Sequence, residues 1–533
     1  SRTNGFFTRH DISMYIQDVP WNNNQWRFSA LVFIVSASVV GFSGCIARTS
    51  TPPTLNGSGT VLDSRGSLQA TLNEIFSAPP LNRVLWGAEV RSLKYGDIVY
   101  QQNSNTLMMP ASTMKIVTLA AAARKLGWDD RFETKLYANG PLIEGTLNGD
   151  LLVQGSGDPT IESRKFFRDW AEQLQKVGVH TITGRLIGDD SVVIGKDKSA
   201  SVNSPGFGFG WSWDDLTFGF AAPIGPLQFK RNVVELVVEP GAQQGDPTNA
   251  FFQLPGSSLT IIENSRTGAP GEATQVRLRQ TEKRAELVLD GRIATDANAM
   301  VIQTTVYNPT TFFMETLKDV FAKSGIDVRG PAIDIDTLAT TERISVQQNL
   351  SKIFEHHSEP LSTSAIVMMK QSQNLYAESV FQRIGLMAND ANPSGANAIK
   401  AMLDNWGIDQ THALIVDGSG LSRYNYLTAN ALTSVLTNIS SDPINHEQFV
   451  ATLPIAALDG TLRNRMRGTP AASRVQAKTG SMSQVRSLAG YATTTSGEVF
   501  AFAFIANNFG GYGKDVNTAI DDAIVTITEF QRH

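Results

Sequence analysis

Pro110-Ala111-Ser112-Thr113-Met114-Lys115 opens an Ala-rich run that continues to Leu126 and stops at Gly127. Proline suits the first turn of a helix and glycine its end. The spacing therefore predicts a helix with Ser112 in its first turn. Lys115, three residues on, then sits above Ser112 on the same face. A serine hydroxyl is a poor nucleophile until a base takes its proton. A lysine is such a base only where its charged form is disfavoured, by burial or by a second cation. Alone, Ser112 reads first as a helix cap, and about two S-x-x-K matches arise by chance in a chain of this length and composition.

Two later triplets change that reading. Ser372-Gln373-Asn374 precedes a run read as helical over Leu375–Gly385, and Lys478-Thr479-Gly480 ends a strand read from Val475. Singly they read as a helix-terminal cap and a solvated edge strand. Together, in this order, S-x-x-K, S-x-N and K-T-G form a known signature of acyl-transferring serine enzymes, with Gln373 where the usual pattern has Asp. Lys478 supplies the second cation near Lys115, and strand residues after Gly480 offer a backbone N–H to a developing oxyanion. A Ser-His-Asp triad is the competing arrangement. The seven histidines, at 10, 180, 356, 357, 412, 446 and 533, accompany no G-x-S-x-G elbow. Glu355-His356-His357 is not an H-E-x-x-H site; it belongs on an extended segment leading to a helix at Leu361.

Outward from the motifs, Ser67–Phe76 reads as a helix, and Val84–Leu93 with Asp97–Gln102 as a strand pair turned at Tyr95-Gly96. From Phe132 the pattern changes to short strands and Gly-rich turns, beginning with Gly149–Gly155. Val233–Val238, Leu259–Glu263, Val276–Gln280 and Ala285–Leu289 follow one another without helices, as in a separate small β module. Pro309–Ser324 is helical and Pro331–Ile335 extended. In the last third, Leu361–Lys370 is a helix, Val485–Thr493 and Val499–Asn507 form a hairpin through Thr495-Ser496-Gly497, and Asp515–Phe530 closes the chain as a helix. Helices and an antiparallel sheet thus flank a β-rich insertion in an α/β protein.

With 533 residues the chain exceeds one core, and roughly three to four domains are expected. A net charge of -5 without like-charge blocks argues against a nucleic-acid partner. The single cysteine, Cys45, rules out a disulfide framework and a Cys-based zinc site. Arg27 precedes an apolar run, Phe28–Phe42, shorter than the about twenty residues a membrane span needs and suited to a signal peptide. The run ends in Phe42-Ser43-Gly44-Cys45, which resembles a bacterial lipobox with Phe42 in place of the usual Leu. Export with lipidation at Cys45 is expected, ahead of a Ser/Thr/Pro/Gly-rich tether over 46–66.

Beyond the three motifs, Gly155-Ser-Gly-Asp-Pro159, Gly210-Trp-Ser-Trp-Asp-Asp-Leu216 with Ala222-Pro223, Ala377-Glu378, Asp417-Gly-Ser-Gly-Leu-Ser-Arg423, Asp459-Gly-Thr461 and Ala477-Lys-Thr-Gly-Ser481 recur in one family. From about Ser67 onward the chain resembles the class C low-molecular-mass penicillin-binding proteins, the D-Ala-D-Ala carboxypeptidase/endopeptidases. The separation of Ser112 from Ser372, about 260 residues, leaves room for the two domains that class inserts. The resemblance implies a penicillin-recognising, serine transpeptidase-like α/β sandwich with one inserted α/β domain and one small β domain nested in it. The expected bounds are 67–131 with 346–533 for the catalytic part, 132–228 with 306–345 for the first insert and 229–305 for the second.

It further implies an exported enzyme of the periplasm that acts on peptidoglycan stem peptides through an acyl-enzyme, is trapped by β-lactams, and needs no metal or other cofactor. Ser112 is then the nucleophile and Lys115 its base. Ser372 relays a proton to the leaving amine, Asn374 positions the peptide amide, and Lys478 with Thr479 binds the terminal carboxylate beside Gly480. Ser481 and Ser112 supply oxyanion N–H groups. Asp215 and Arg423 read a zwitterionic side-chain end, in a subsite lined by Phe220, Met482 and Ser483. A β-lactamase or esterase of the same superfamily and a non-catalytic β-lactam or wall-binding protein are the alternatives.

Overall fold

The structure, a computed structural model, describes residues 64–191, 206–387 and 394–532. Cys45, the apolar run before it and the tether up to residue 63 lie outside the described residues. The first helix starts at Ser64 and runs to Ser77, so the last three residues assigned to the tether are helical. Among the described residues, no helix is long and apolar enough to cross a membrane.

The central sheet has five antiparallel strands in the order Ile98–Gln102, Leu85–Ser92, Val499–Asn507, Val485–Thr493 and Val475–Met482. Its middle strand shows why two layers cover it. Successive strand side chains point to opposite faces. Phe500, Phe502 and Phe504 pack on one face against the helices Ser64–Ser77 and Gly513–Glu529, with Leu72, Phe76, Ile520 and Ile524. Ala501, Ala503 and Ile505 face the other way, into the core of Met114–Lys125, Leu361–Lys370, Asn374–Leu386 and Ala429–Ser440. Small side chains on that face, which packs on Ala429–Ser440, and Ala120–Ala123 in the same core permit close approach of the layers.

The helix expected from Pro110 begins later. Ala111–Thr113 is a 3-10 turn, Met114–Lys125 is the α-helix, and Gly127 ends it at φ +80°. Ser112 therefore lies ahead of the α-helix, because Ala111 takes a left-handed φ of +48° that no α-helix accommodates. Leu361–Lys370, Val485–Thr493 and Val499–Asn507 have the bounds read from sequence. The helices Arg164–Lys176, Gly395–Asn405, Ala429–Ser440 and His446–Thr452 were not read from it.

Between the first two motifs, a mixed five-stranded sheet runs Ala332–Asp334, Leu186–Asp189, Asp150–Gln154, Glu133–Asn139 and Ser351–His357. Its last strand pairs antiparallel with Glu133–Asn139, although it lies beyond the boundary expected at 346. The β-rich stretch forms a three-stranded and a four-stranded sheet around Leu236, Val238, Val276, Leu289 and Ile293.

One buried acid ties the central sheet to a helix. Glu89 is fully buried and accepts hydrogen bonds from Thr433 Oγ1 at 2.6 Å, Asn430 Nδ2 at 3.0 Å and Arg91 Nη2 at 2.8 Å. Glu89 is the one acceptor these three donors share, and removing it unties the sheet from the helix. Glu89→Ala is expected to cost about 3 kcal/mol of stability, seen as a lower denaturant midpoint at unchanged slope; a midpoint within error of wild type would show that the network is not coupled to folding.

Candidate active site

The three motifs come from three elements and meet at the N-terminal end of Met114–Lys125. Lys115 is fully buried. Its Nζ lies 2.8 Å from Ser112 Oγ, 2.6 Å from Asn374 Oδ1 and 2.9 Å from the Ser419 carbonyl oxygen. Burial lowers its pKa to about 7, against the opposing pull of Glu378 and Asp417. The Asn374 amide is oriented by its own Nδ2, which donates to the Phe220 carbonyl at 2.7 Å. Its Oδ1 and the Ser419 carbonyl can therefore only accept. A neutral Lys115 has two N–H bonds to give, and these two acceptors take both. The lone pair is left for Ser112 Oγ, the arrangement proton abstraction requires.

Lys478 is also fully buried, with Nζ 2.8 Å from Ser372 Oγ and 2.9 Å from the Thr479 carbonyl oxygen. Burial, and then repulsion from Lys115, hold its pKa well below the usual lysine value. Ser372 sits at φ +59°, a left-handed conformation uncommon outside glycine, just before Asn374–Leu386 begins. Like Ala111, it is a strained position beside reacting groups, and the surrounding packing must hold it there. Thr479 Oγ1 donates to Thr461 Oγ1 at 2.8 Å, so Thr461 joins the edge of the K-T-G strand.

Gly480 has a steric reason. A Cβ there would lie 2.1 Å from Ser487 Oγ and 2.7 Å from the Pro110 carbonyl oxygen. Ser487 Oγ at 2.6 Å and Thr113 Oγ1 at 2.7 Å both donate to that carbonyl, which fixes the turn bearing Ser112 to the strand.

The residues expected to read a substrate's side-chain end gather around the insert. Arg423 Nη1 donates to the Ser483 carbonyl at 3.4 Å. Met482 packs on Leu216, Ala221 and Leu421. The half-buried Asp215 has its pKa raised by burial, with Arg423's charge opposing the rise, so the two side chains share one field. Phe220 is 46% exposed, stacked on Phe218 at 5.6 Å between ring centroids. Glu378 and Asp417, given no role from sequence, lie buried behind Lys115. A signal was there: Glu378 is an acid within the otherwise uncharged stretch Asn374–Gln382, one helical turn after Asn374.

A buried lysine with its lone pair directed at one serine and a second buried lysine bonded to another define a serine acyl-transfer enzyme. The chain belongs to the D-Ala-D-Ala carboxypeptidase 3 (S13) family of serine peptidases, which matches residues 68–531, and so to the class C low-molecular-mass penicillin-binding proteins. It is 29% identical over 502 residues to a D-alanyl-D-alanine carboxypeptidase of Actinomadura sp. strain R39, covering 90% of this chain and 89% of that protein. To the D-alanyl-D-alanine carboxypeptidase DacB of Haemophilus influenzae it is 29% identical over 436 residues, covering 79% and 85%. The crystal structure of penicillin binding protein 4 from Haemophilus influenzae superposes with a TM-score of 0.73 at 26% identity, covering 86% of this chain and 99% of that one.

Gly480→Ala is expected to displace the strand or the Ser112 turn by the few tenths of an ångström or more that a 2.1 Å contact demands. Acylation by a fluorescent penicillin should slow on the order of a hundredfold, since positioning errors of that size cost catalysis heavily. Wild-type labelling kinetics in the variant would show that the contact relaxes without moving Ser112.

Proposed function

We propose that this protein is a serine-type D-Ala-D-Ala carboxypeptidase and endopeptidase of peptidoglycan stem peptides, with Ser112 as its nucleophile. The observation that carries the reading is Lys115, buried and lowered to about 7, with two obligate acceptors directing its lone pair at Ser112.

Ser112 Oγ attacks the carbonyl carbon of the penultimate D-Ala and passes its proton to Lys115. The backbone N–H groups of Ser112 and Ser481 hold the oxyanion, typically a large catalytic contribution. As the C–N bond breaks, the proton that Lys115 took passes by way of Ser372, which Lys478 holds at 2.8 Å, to the departing amine, and Lys115 is neutral again. Water, deprotonated by Lys115, then cleaves the Ser112 ester and restores the hydroxyl. Lys478 and Thr479 bind the substrate's terminal carboxylate. An arriving anion favours the charged form of Lys478, so this amine takes its proton as substrate docks. β-Lactams enter by the same attack, but the ring-opened amine stays tethered and the ester persists.

This reading keeps the division into a catalytic part, an insert of 132–228 with 306–345 and a nested module of 229–305, with the strand Ser351–His357 moved from the catalytic part of 67–131 with 346–533 to the insert whose sheet it joins. It also keeps export to the periplasm and lipidation at Cys45, supported by the apolar run Phe28–Phe42 and the lipobox-like residues after it.

Ser112→Ala should fold normally and lose covalent penicillin labelling and stem-peptide hydrolysis, read by mass spectrometry of intact protein and of products. Stoichiometric labelling of the variant would place the nucleophile elsewhere.

Asp215 and Arg423 are proposed to bind the ammonium and carboxylate of a zwitterionic side-chain end, as charge matching and two-pronged guanidinium geometry favour. Asp215→Ala should lower kcat/KM on the order of a hundredfold for a peptide with that end, with a much smaller loss for one lacking it. Equal losses on both peptides would make Asp215 structural.

A further inference from the structure

The chemistry above leaves two buried acids without a task. Glu378 is 3% exposed and Asp417 4%. Glu378 Oε1 accepts the Ser419 N–H at 2.7 Å and its Oε2 accepts the Gly418 N–H at 3.2 Å. Asp417 accepts the N–H groups of Gly420 at 2.8 Å and Ser422 at 2.6 Å, with Asn425 Nδ2 at 2.7 Å and Trp211 Nε1 at 3.0 Å. The two acids together fix the peptide planes on both sides of Ser419. Its carbonyl has no freedom to turn away from Lys115 Nζ, 2.9 Å distant. Asp417 is saturated by donors from its own loop and from the insert. Glu378 comes from a different element, the helix that also carries Asn374, and so ties the residue that bears one acceptor of Lys115 to the helix that bears the other.

We propose that Glu378 is a positioning residue for the acylation step: it anchors Ser419, whose carbonyl faces Lys115 Nζ, to the helix that also carries Asn374. The inference rests on Lys115 being the base. The titratable groups facing Lys115 are Glu378 from the helix Asn374–Leu386, Asp417 from the loop and Lys478 from the strand Val475–Met482. Burial, and then Asp417's charge, raise the pKa of Glu378. Below its own value of about 7 Lys115 is charged and inert. Negative charge on Glu378 or Asp417 favours that charged form and so raises the pH at which Lys115 becomes free to act.

The test is the pH dependence of penicillin acylation, measured by stopped-flow or gel labelling on the intact protein. Wild type should fall about tenfold per pH unit on the acid side. Glu378→Gln keeps the shape but removes the charge and presents an amide N–H to a backbone N–H. Its acid limb should move down by about half a pH unit or more, and its plateau rate should fall about tenfold or more. Glu378→Asp keeps the charge but is too short to reach both amides, so its limb should stay near wild type while its plateau falls. A limb and plateau unmoved in Glu378→Gln, whatever its thermal stability, would overturn the proposal. Should Glu378→Gln not fold, a wild-type plateau in Glu378→Asp would overturn it instead. Lys115→Met is measured alongside. If it acylates at the wild-type rate, the base assignment falls and this inference with it. If Lys115→Met is inert and the Glu378→Gln profile unmoved, only this inference falls.

Discussion

A lysine amine buried in its neutral form is the constraint on which the site depends. Water would keep Lys115 charged, and a charged amine has no lone pair for Ser112. Complete burial disfavours that charge, and the fully buried Lys478 suffers the same desolvation with Lys115's repulsion added. Burying two amines is costly unless their hydrogen bonds are met. Here every polar contact of Lys115 is an acceptor except Ser112, which acts as either donor or acceptor. Satisfying the buried group and aiming it are the same act.

That burial demands a dry, tightly closed seam between the sheet and the helical layer, and small residues supply it. Alanines line the inner face of the central strand, which packs on Ala429–Ser440, and Met114–Lys125 brings alanines of its own into the same core. Where the seam reaches the reacting groups, even alanine is too large. Gly480 passes beneath the Ser112 turn, and a Cβ on Gly420 would lie 1.9 Å from the Ala111 carbonyl oxygen. The left-handed backbone at Ala111 is held by these contacts, and that at Ser372 lies where Lys478 Nζ bonds its hydroxyl.

The insert is part of the same construction. Phe220 orients the Asn374 amide, Trp211 donates to Asp417, and Leu216 and Ala221 pack with Met482 and Leu421. The segment that carries Asp215 and Phe220 thus also fixes the orientation of an amide hydrogen-bonded to Lys115.

The sequence by itself determined the chemistry and much of the layering. S-x-x-K, S-x-N and K-T-G are local strings whose order survives any loop length, and the alternation Phe500-Ala501-Phe502-Ala503-Phe504 declares a strand covered on both faces. Local rules did not reach the 3-10 turn at Ser112, because the left-handed Ala111 is imposed by the strand beneath it; Pro110 signals only that a helix starts. They did not reach the pairing of Ser351–His357 with Glu133–Asn139, since register between distant strands is set by the shared sheet. Nor did they assign Glu378 and Asp417, whose value lies in which amides they hold. Only the tertiary structure decided that Lys115 is buried and which way its lone pair points, because desolvation and hydrogen-bond geometry belong to the assembled surroundings of a group and to no string of its neighbours.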